Sequence, residues 1–308
     1  MRIVVTGGAG FIASHIVDAY VAKGHEVFVI DDLSSGSRKN VNRRAMFYHM
    51  DICDPAVSKL LSDISPDVLN HHAAQMDLRR SVADPLFDAR INILGFLNLL
   101  ENCKRTGIKK VIYASSGGVV YGEQGIFPAA ENHPRSPLSP YGVSKLTGEQ
   151  YLVYYHKNFG LSYSGLRYAN IYGPRQSSIG EAGVIAIFIG RLLAGKAPLI
   201  NGDGKQTRDY VFVEDVVAAN VLALDSHYVG YLNIGTGQET DVLTLFNFLR
   251  DKIGSKVEAI HGPAKAGEQR RSSLDASLAA KVLGWIPQTR LESGLEKTIA
   301  YYREALRP

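Results

Sequence analysis

Thr6-Gly7-Gly8-Ala9-Gly10-Phe11-Ile12-Ala13 is the stretch whose reading decides the fold. It follows an apolar run, residues 3–6, that reads as a strand, and it opens an amphipathic segment, 12–23, that reads as a helix. Gly7 permits the tight turn. Gly10 lets backbone approach a pyrophosphate at the helix N-terminus, where unpaired N–H groups favour an anion. The third small position, where helix meets strand, is Ala13. Asp31 closes the second strand at the spacing of about 20 residues where a carboxylate accepts hydrogen bonds from ribose hydroxyls and repels a 2′-phosphate. The site therefore favours NAD over NADP. Asp32 is open between a second cofactor contact and a turn residue. Asp51 is open between reaching the adenine and capping a turn.

Working outward, residues 26–30, 46–49, 68–71 and 110–114 read as further strands, and 85–106 and 141–159 as helices. Buried-type strands alternating with helices imply an α/β fold with a doubly wound parallel sheet of Rossmann type. Past about residue 170 the alternation loosens into Gly/Pro loops such as Gly173-Pro174 and Gly202-Asp203-Gly204. This division gives an NAD-binding domain over 1–168 and a smaller substrate-binding region over 169–308, parts of which return to the sheet.

The bulk composition narrows the class. With 308 residues, 45% hydrophobic and 21% charged, the chain is long enough for a sizeable core. A net charge of +4 without a dense Lys/Arg run argues against a nucleic-acid partner. Cys53 and Cys103 have no metal-type spacing, and two cysteines do not make a disulfide scaffold, so a cytoplasmic home is expected. No metal site and no membrane span are expected.

Tyr141-Gly-Val-Ser-Lys145 carries the chemistry. Residues four apart on a helix are neighbours, and a nearby ammonium lowers a tyrosine pKa. Tyr141 beside Lys145 is then a base able to take a proton from a sugar hydroxyl. His15, His71 and His72 read as packing and hydrogen-bonding residues.

These segments together resemble the extended short-chain dehydrogenase/reductase family, and within it the UDP-glucose (UDP-galactose) 4-epimerases. The markers include residues 6–13, Asp31-Asp32-Leu33-Ser34-Ser35-Gly36, His71-His72-Ala73-Ala74-Gln75, Ser115-Ser116-Gly117-Gly118, Tyr141–Lys145, Arg208-Asp209-Tyr210 and Asn233-Ile234-Gly235-Thr236-Gly237. The resemblance implies Tyr141 as base, Lys145 as the residue that tunes it and binds the nicotinamide ribose, and Ser116 as the hydroxyl on the reacting sugar oxygen. It implies NAD contacts at Gly7, Gly10, Phe11, Ile12, Asp31, Asp32, Leu33, Ser35, Gly36, Asp51, Ile52, Ala73, Ala74, Gln75, Asn92 and Tyr168. It implies nucleotide-sugar contacts at Asn170, Val184, Leu199, Asn201, Arg208, Lys265, Glu268 and Ser272. Arg208 suits a diphosphate because its guanidinium fork matches phosphate oxygens. Arg175, Arg270 and Arg271 are further basic candidates.

The resemblance also implies an activity. Related 4,6-dehydratases carry an acidic pair just after the strand-end Ser/Thr, where this chain has Gly117 and Gly118. Without that acid, the expected outcome is inversion at C4 of a UDP-hexose through a transient 4-keto sugar. Ser272 stands where a tyrosine restricts relatives to plain hexoses, so room for an N-acetyl group is expected. Lys265 replaces the family's usual arginine and Glu268 its usual aspartate. A UDP-glucuronate 4-epimerase, with Arg79, Arg80 and Arg175 supplying charge, is the alternative enzyme. A non-catalytic NAD-sensing protein is the alternative outside enzymes. A homodimer paired through helices 85–106 and 141–159 is expected from the same resemblance.

Overall fold

Strands written as unbroken apolar runs must be covered on both faces. In the computed structural model, which describes residues 1–178, 183–264 and 269–305, they are. The first half runs β1 (Arg2–Thr6), α1 (Phe11–Ala22), β2 (Glu26–Asp31), β3 (Met46–His49), α2 (Val57–Ile64), β4 (Val68–His71), α3 (Leu78–Ala83), α4 (Pro85–Ala89), a π-helical turn (Arg90–Gly95), α5 (Phe96–Thr106), β5 (Lys110–Ser116), α6 (Gly117–Val120), α7 (Pro140–Phe159) and β6 (Ser162–Tyr168). The second half runs β7 (Asn170–Tyr172), α8 (Val184–Leu193), β8 (Leu199–Asn201), β9 (Thr207–Arg208), β10 (Tyr210–Phe212), α9 (Val213–Asp225), β11 (Gly230–Ile234), β12 (Thr240–Asp241), α10 (Val242–Ile253), β13 (Ile260–Gly262), α11 (Ser277–Leu283) and α12 (Leu291–Ala305).

Seven strands form one sheet in the order β11-β6-β5-β4-β1-β2-β3, and every pairing in it is parallel. The strand order reverses between β1 and β4, so a crevice opens there at the carboxyl ends of the strands. One face is covered by α1, α9 and α11, whose Ile16, Val17, Val216 and Ala219 pack on Val5, Val29 and Leu232. The other is covered by α2, α5 and α7 through Leu61, Leu99 and Leu152 against Val4, Leu69 and Val111. A third cluster builds the C-terminal region from Phe188, Phe212, Phe246 and Leu295.

The helix expected over 85–106 is not continuous. It is α4, the π turn, then α5. Asn92 inside the π turn donates Nδ2 to Gln75 O at 2.9 Å, and Gly95 lies against Ile52, whose Cδ1 would sit 2.8 Å from an added Cβ. The wider turn lets Asn92 reach inward while the backbone stays close to Ile52. Helix α7, by contrast, is punctuated as its sequence dictates. Ser139 caps Gly142 N at 3.1 Å, Pro140 takes the first helical position, and Gly160 ends the helix at φ 70.

Candidate active site

The crevice begins at the turn between β1 and α1. Gly7 has φ +71, and a Cβ there would lie 2.6 Å from Ala73 N. Gly10 caps α1 with extended backbone (φ −78, ψ 177), no side-chain cap and no acidic residue in the first turn. The N–H groups at Phe11 and Ile12 therefore open the helix without a carboxylate of the chain competing for them, which fits a pyrophosphate. Asp31 is 7% exposed and accepts from Ala9 N at 2.9 Å and Leu33 N at 2.8 Å. Burial pushes its carboxyl above the usual range, and the two N–H groups pull it back. Gly36 leaves space beside it, since a Cβ there would meet Asp31 Oδ1 at 3.0 Å. Asn40 donates to Ala9 O at 3.1 Å and holds this loop, a role its sequence context did not signal.

The remaining cofactor candidates fall into different settings. Asp32 accepts from Ser34 N and Oγ, and Asp51 from Cys53 N, so both act as turn residues here. Ser35 is exposed and Leu33 adopts φ 58 in the same loop. Ile52 is core. Ala73, Ala74 and Gln75 follow β4, and Asn92 Oδ1 accepts from Gln75 N at 3.0 Å. Tyr168 ends β6 with its hydroxyl bonded to His72 Nε2 at 3.0 Å and Asn220 Nδ2 at 2.8 Å. His71 bonds Thr6 Oγ1 and stacks on Phe96 at 4.6 Å, and His15 bonds Pro174 O.

Ser116, Tyr141 and Lys145 lie on adjoining elements, the end of β5 and the start of α7. Ser116 precedes α6 without using its hydroxyl as a cap. Lys145 is buried and its ammonium is 5.7 Å from the centre of the Tyr141 ring, as the helical spacing requires. The expected lowering of the tyrosine pKa is overturned in the chain itself. Lys145 donates to Ala114 O at 2.9 Å, and burial lowers it to about 8. The Tyr141 phenol is pushed above its ordinary value, first by burial and then by the charge of Asp88. Loss of water is the first cause of both shifts.

The substrate candidates come from the second half. Asn170 starts β7, Val184 starts α8, Leu199 and Asn201 bound β8, and Arg208 is in β9 with Nη1 donating to Thr207 O at 2.8 Å. Ser272 is 3% exposed and its Oγ accepts from Gln124 Nε2 at 3.4 Å. Lys265 and Glu268 lie outside the described residues. Arg270 is paired with Asp203 at 2.8 Å, Arg271 with Glu239, and Arg175 with Asp18 at 2.8 Å.

Sequence reasoning missed the residues that hold this arrangement. Asp209 is buried and accepts from Thr236 N and Oγ, Gly237 N and Leu274 N, tying the loop after β11 to the 269–275 segment. Leu274 then packs so close to Gly117 that an added Cβ would lie 2.5 Å from Leu274 Cδ1. Gln124 joins the same contact through Ser273 N at 3.1 Å. The signal was present in the quoted Arg208-Asp209-Tyr210 and Asn233–Gly237 markers, but nothing in either showed that they meet.

Comparison with known proteins agrees with this geometry. Residues 3–235 match the model of the NAD dependent epimerase/dehydratase family. A UDP-glucose 4-epimerase of Mycolicibacterium smegmatis is 44% identical over 309 residues, covering 98% of this chain and 99% of its own. The crystal structure of a Thermotoga maritima UDP-glucose 4-epimerase with UDP-glucose is 46% identical, with a TM-score of 0.98 over 100% of both chains. That of a Thermus thermophilus UDP-glucose 4-epimerase with NAD is 40% identical, with a TM-score of 0.95 over 99% of this chain and 100% of that one. By its crevice, its residues and these relatives, the chain belongs to the NAD dependent epimerase/dehydratase family.

Proposed function

We propose that the protein inverts C4 of a UDP-hexose, interconverting UDP-glucose and UDP-galactose through a transient 4-keto sugar. The residues from Gly7 to Ile12 and Asp31 would hold NAD, which when bound would supply a reversible hydride acceptor for C4. Tyr141 takes the O4 proton as the hydride leaves and gives it back as the hydride returns. Ser116 donates to O4, and Lys145 holds positive charge beside the phenol. The turn from Gly7 to Ile12 and the Asp31 carboxylate hold the dinucleotide. Arg208 clamps the diphosphate and Ser272 lines the sugar's C2 side, leaving room for an N-acetyl group.

The observation that carries this reading is the packing at Gly117. A Cβ at Gly117 would lie 2.5 Å from Leu274 Cδ1, which disfavours an acid there, and Gly118, though it has room, supplies no carboxyl. Neither position brings the second acid that expelling water from a keto sugar needs, and inversion needs none. Incubating purified protein with UDP-galactose, without added NAD, and following UDP-glucose by NMR tests it. Tyr141→Phe should lower kcat by about 10²–10⁴-fold, the usual contribution of a general base. Stoichiometric release of free NADH, or full activity of Tyr141→Phe, would refute it.

Three coarser readings accompany this one. Residues 1–168 form the dinucleotide half and 169–308 the sugar half, with β11 returning to the main sheet beside β6. The free cysteines suit a reducing cytoplasm. Leu138 and Val143, both exposed, line a shallow cavity between α4 and α7, and Leu86 on α4 and Leu94 in the π turn are exposed as well, which supports a homodimer.

A further inference from the structure

Asp88 on α4 is completely buried. Its Oδ1 accepts from Asn92 Nδ2 at 2.9 Å and Gln75 Nε2 at 3.2 Å, and its Oδ2 accepts from Ser144 Oγ at 2.6 Å. One carboxylate thus joins the loop after β4, the π turn and the first turns of α7. All three partners are neutral, and a buried charge answered only by neutral donors is costly to keep. It persists where its field acts on something.

The titratable groups facing it from α7 are Tyr141 and Lys145, and the Asp88 charge raises the pKa of both against or with the larger effect of burial. From the end of β4, His71 and His72 are held neutral by burial and by the Lys145 charge. Arg80 and Arg90 are exposed and lie over the Phe87 ring at 3.7 Å and 5.5 Å. Asp77 and Asp84 cap α3 and α4.

We propose that Asp88 is a positioning residue: through Ser144, the residue before Lys145, it sets the first turns of α7, and with them Tyr141 and Lys145, against the π turn, and it is the fixed negative charge beside that pair. This rests on the reading of Tyr141 and Lys145 as the catalytic pair. Asparagine at 88 keeps the shape: its oxygen can accept from Asn92 and Gln75, and its amide can donate to Ser144 Oγ, which reverses that one bond. Asp88→Asn therefore removes the charge while a hydrogen bond to each partner can still form.

The test is ¹³Cε-lysine NMR of the protein, with the Lys145 resonance assigned by its loss in Lys145→Met. Wild-type Lys145 should titrate at about 8. In Asp88→Asn its midpoint should fall by about one unit, and the alkaline limb of kcat should move with it while KM stays within about twofold. An unmoved lysine midpoint overturns the proposal, as does a kcat lowered equally at every pH. If Asp88→Asn does not fold, Ser144→Ala keeps the charge and removes the anchor. It should lower kcat about tenfold with the pH limbs in place, and wild-type kcat in that variant overturns the anchoring role. Full activity in Tyr141→Phe would sink the catalytic reading itself while leaving the lysine titration to stand or fall separately.

Discussion

At the scale of single residues, the site is governed by how much water each group loses. Tyr141 and Lys145 have the spacing of an acid–base pair, yet burial raises the phenol and lowers the ammonium to about 8. Ser272 shows the same dependence on surroundings. Its hydroxyl is buried against Gln124, so a larger side chain must displace packed protein or enter the proposed sugar site. We predict that Ser272→Tyr lowers kcat/KM for UDP-N-acetylglucosamine by about 10–100-fold, the scale of roughly 1–3 kcal/mol of overpacking. UDP-glucose turnover should change by less than about threefold. Equal losses on both sugars would remove Ser272 as the gate. The Tyr141–Lys145 pairing was legible from sequence because its spacing is local, whereas Ser116 was named only through the family resemblance. The protonation of the pair was not legible, because it depends on atoms contributed by distant segments.

At the scale of elements, α7 is fastened to the sheet by charge as well as by apolar contact. Glu149, two turns after Tyr141, forms a buried bidentate pair with Arg167 of β6 at 2.6 and 2.8 Å and accepts from Ser115 Oγ of β5 at 2.7 Å. Arg167 also donates to Tyr121, whose hydroxyl reaches Asn233 of β11. Removing Arg167 leaves Glu149 buried with only the more distant Arg135, whose Nη1 is 3.9 Å from Oε2. Arg167→Met should therefore destabilise the fold by about 3–5 kcal/mol, read as a lower urea midpoint. Arg167→Met with Glu149→Leu should recover much of the loss, and a double variant no more stable than the single would show that the pair was not the cause. The sequence placed α7 from its periodicity, whereas β6 was not among the strands read from it. It gave no sign that Glu149 points inward, since a glutamate on a helix is usually solvated.

At the scale of the whole molecule, two properties follow from how the layers close. The first is acid sensitivity. His71 and His72 are held below the usual histidine value by burial and by Lys145, with His72 at about 3. The unfolded chain binds protons near pH 6.5 and the folded one does not. Their stabilisation is thus full above pH 6.5 and is lost as pH falls through it, at most roughly 2 kcal/mol for His72 by pH 5. Urea midpoints should drop between pH 7 and pH 5 in the wild type and drop less in His72→Gln; an unchanged wild-type midpoint would contradict this. The second is assembly. Leu86 on α4 is 81% exposed. Sedimentation should show a dimer, and Leu86→Glu should shift it toward monomer; an unaltered dimer would place the interface elsewhere.

The sequence by itself determined the parallel sheet, the glycine turn after β1 and the Tyr141–Lys145 spacing. Each rests on short-range pattern: apolar runs, glycine at a positive φ, a four-residue helical spacing. Only the tertiary structure decided that the helix at 85–106 breaks into a π turn, that Leu274 closes on Gly117, and that Asp88, Asp209 and Glu149 are interior carboxylates. Burial is a sum over segments far apart in the chain. The same aspartate is a solvated surface group or the charge that sets a neighbour's protonation according to what folds over it.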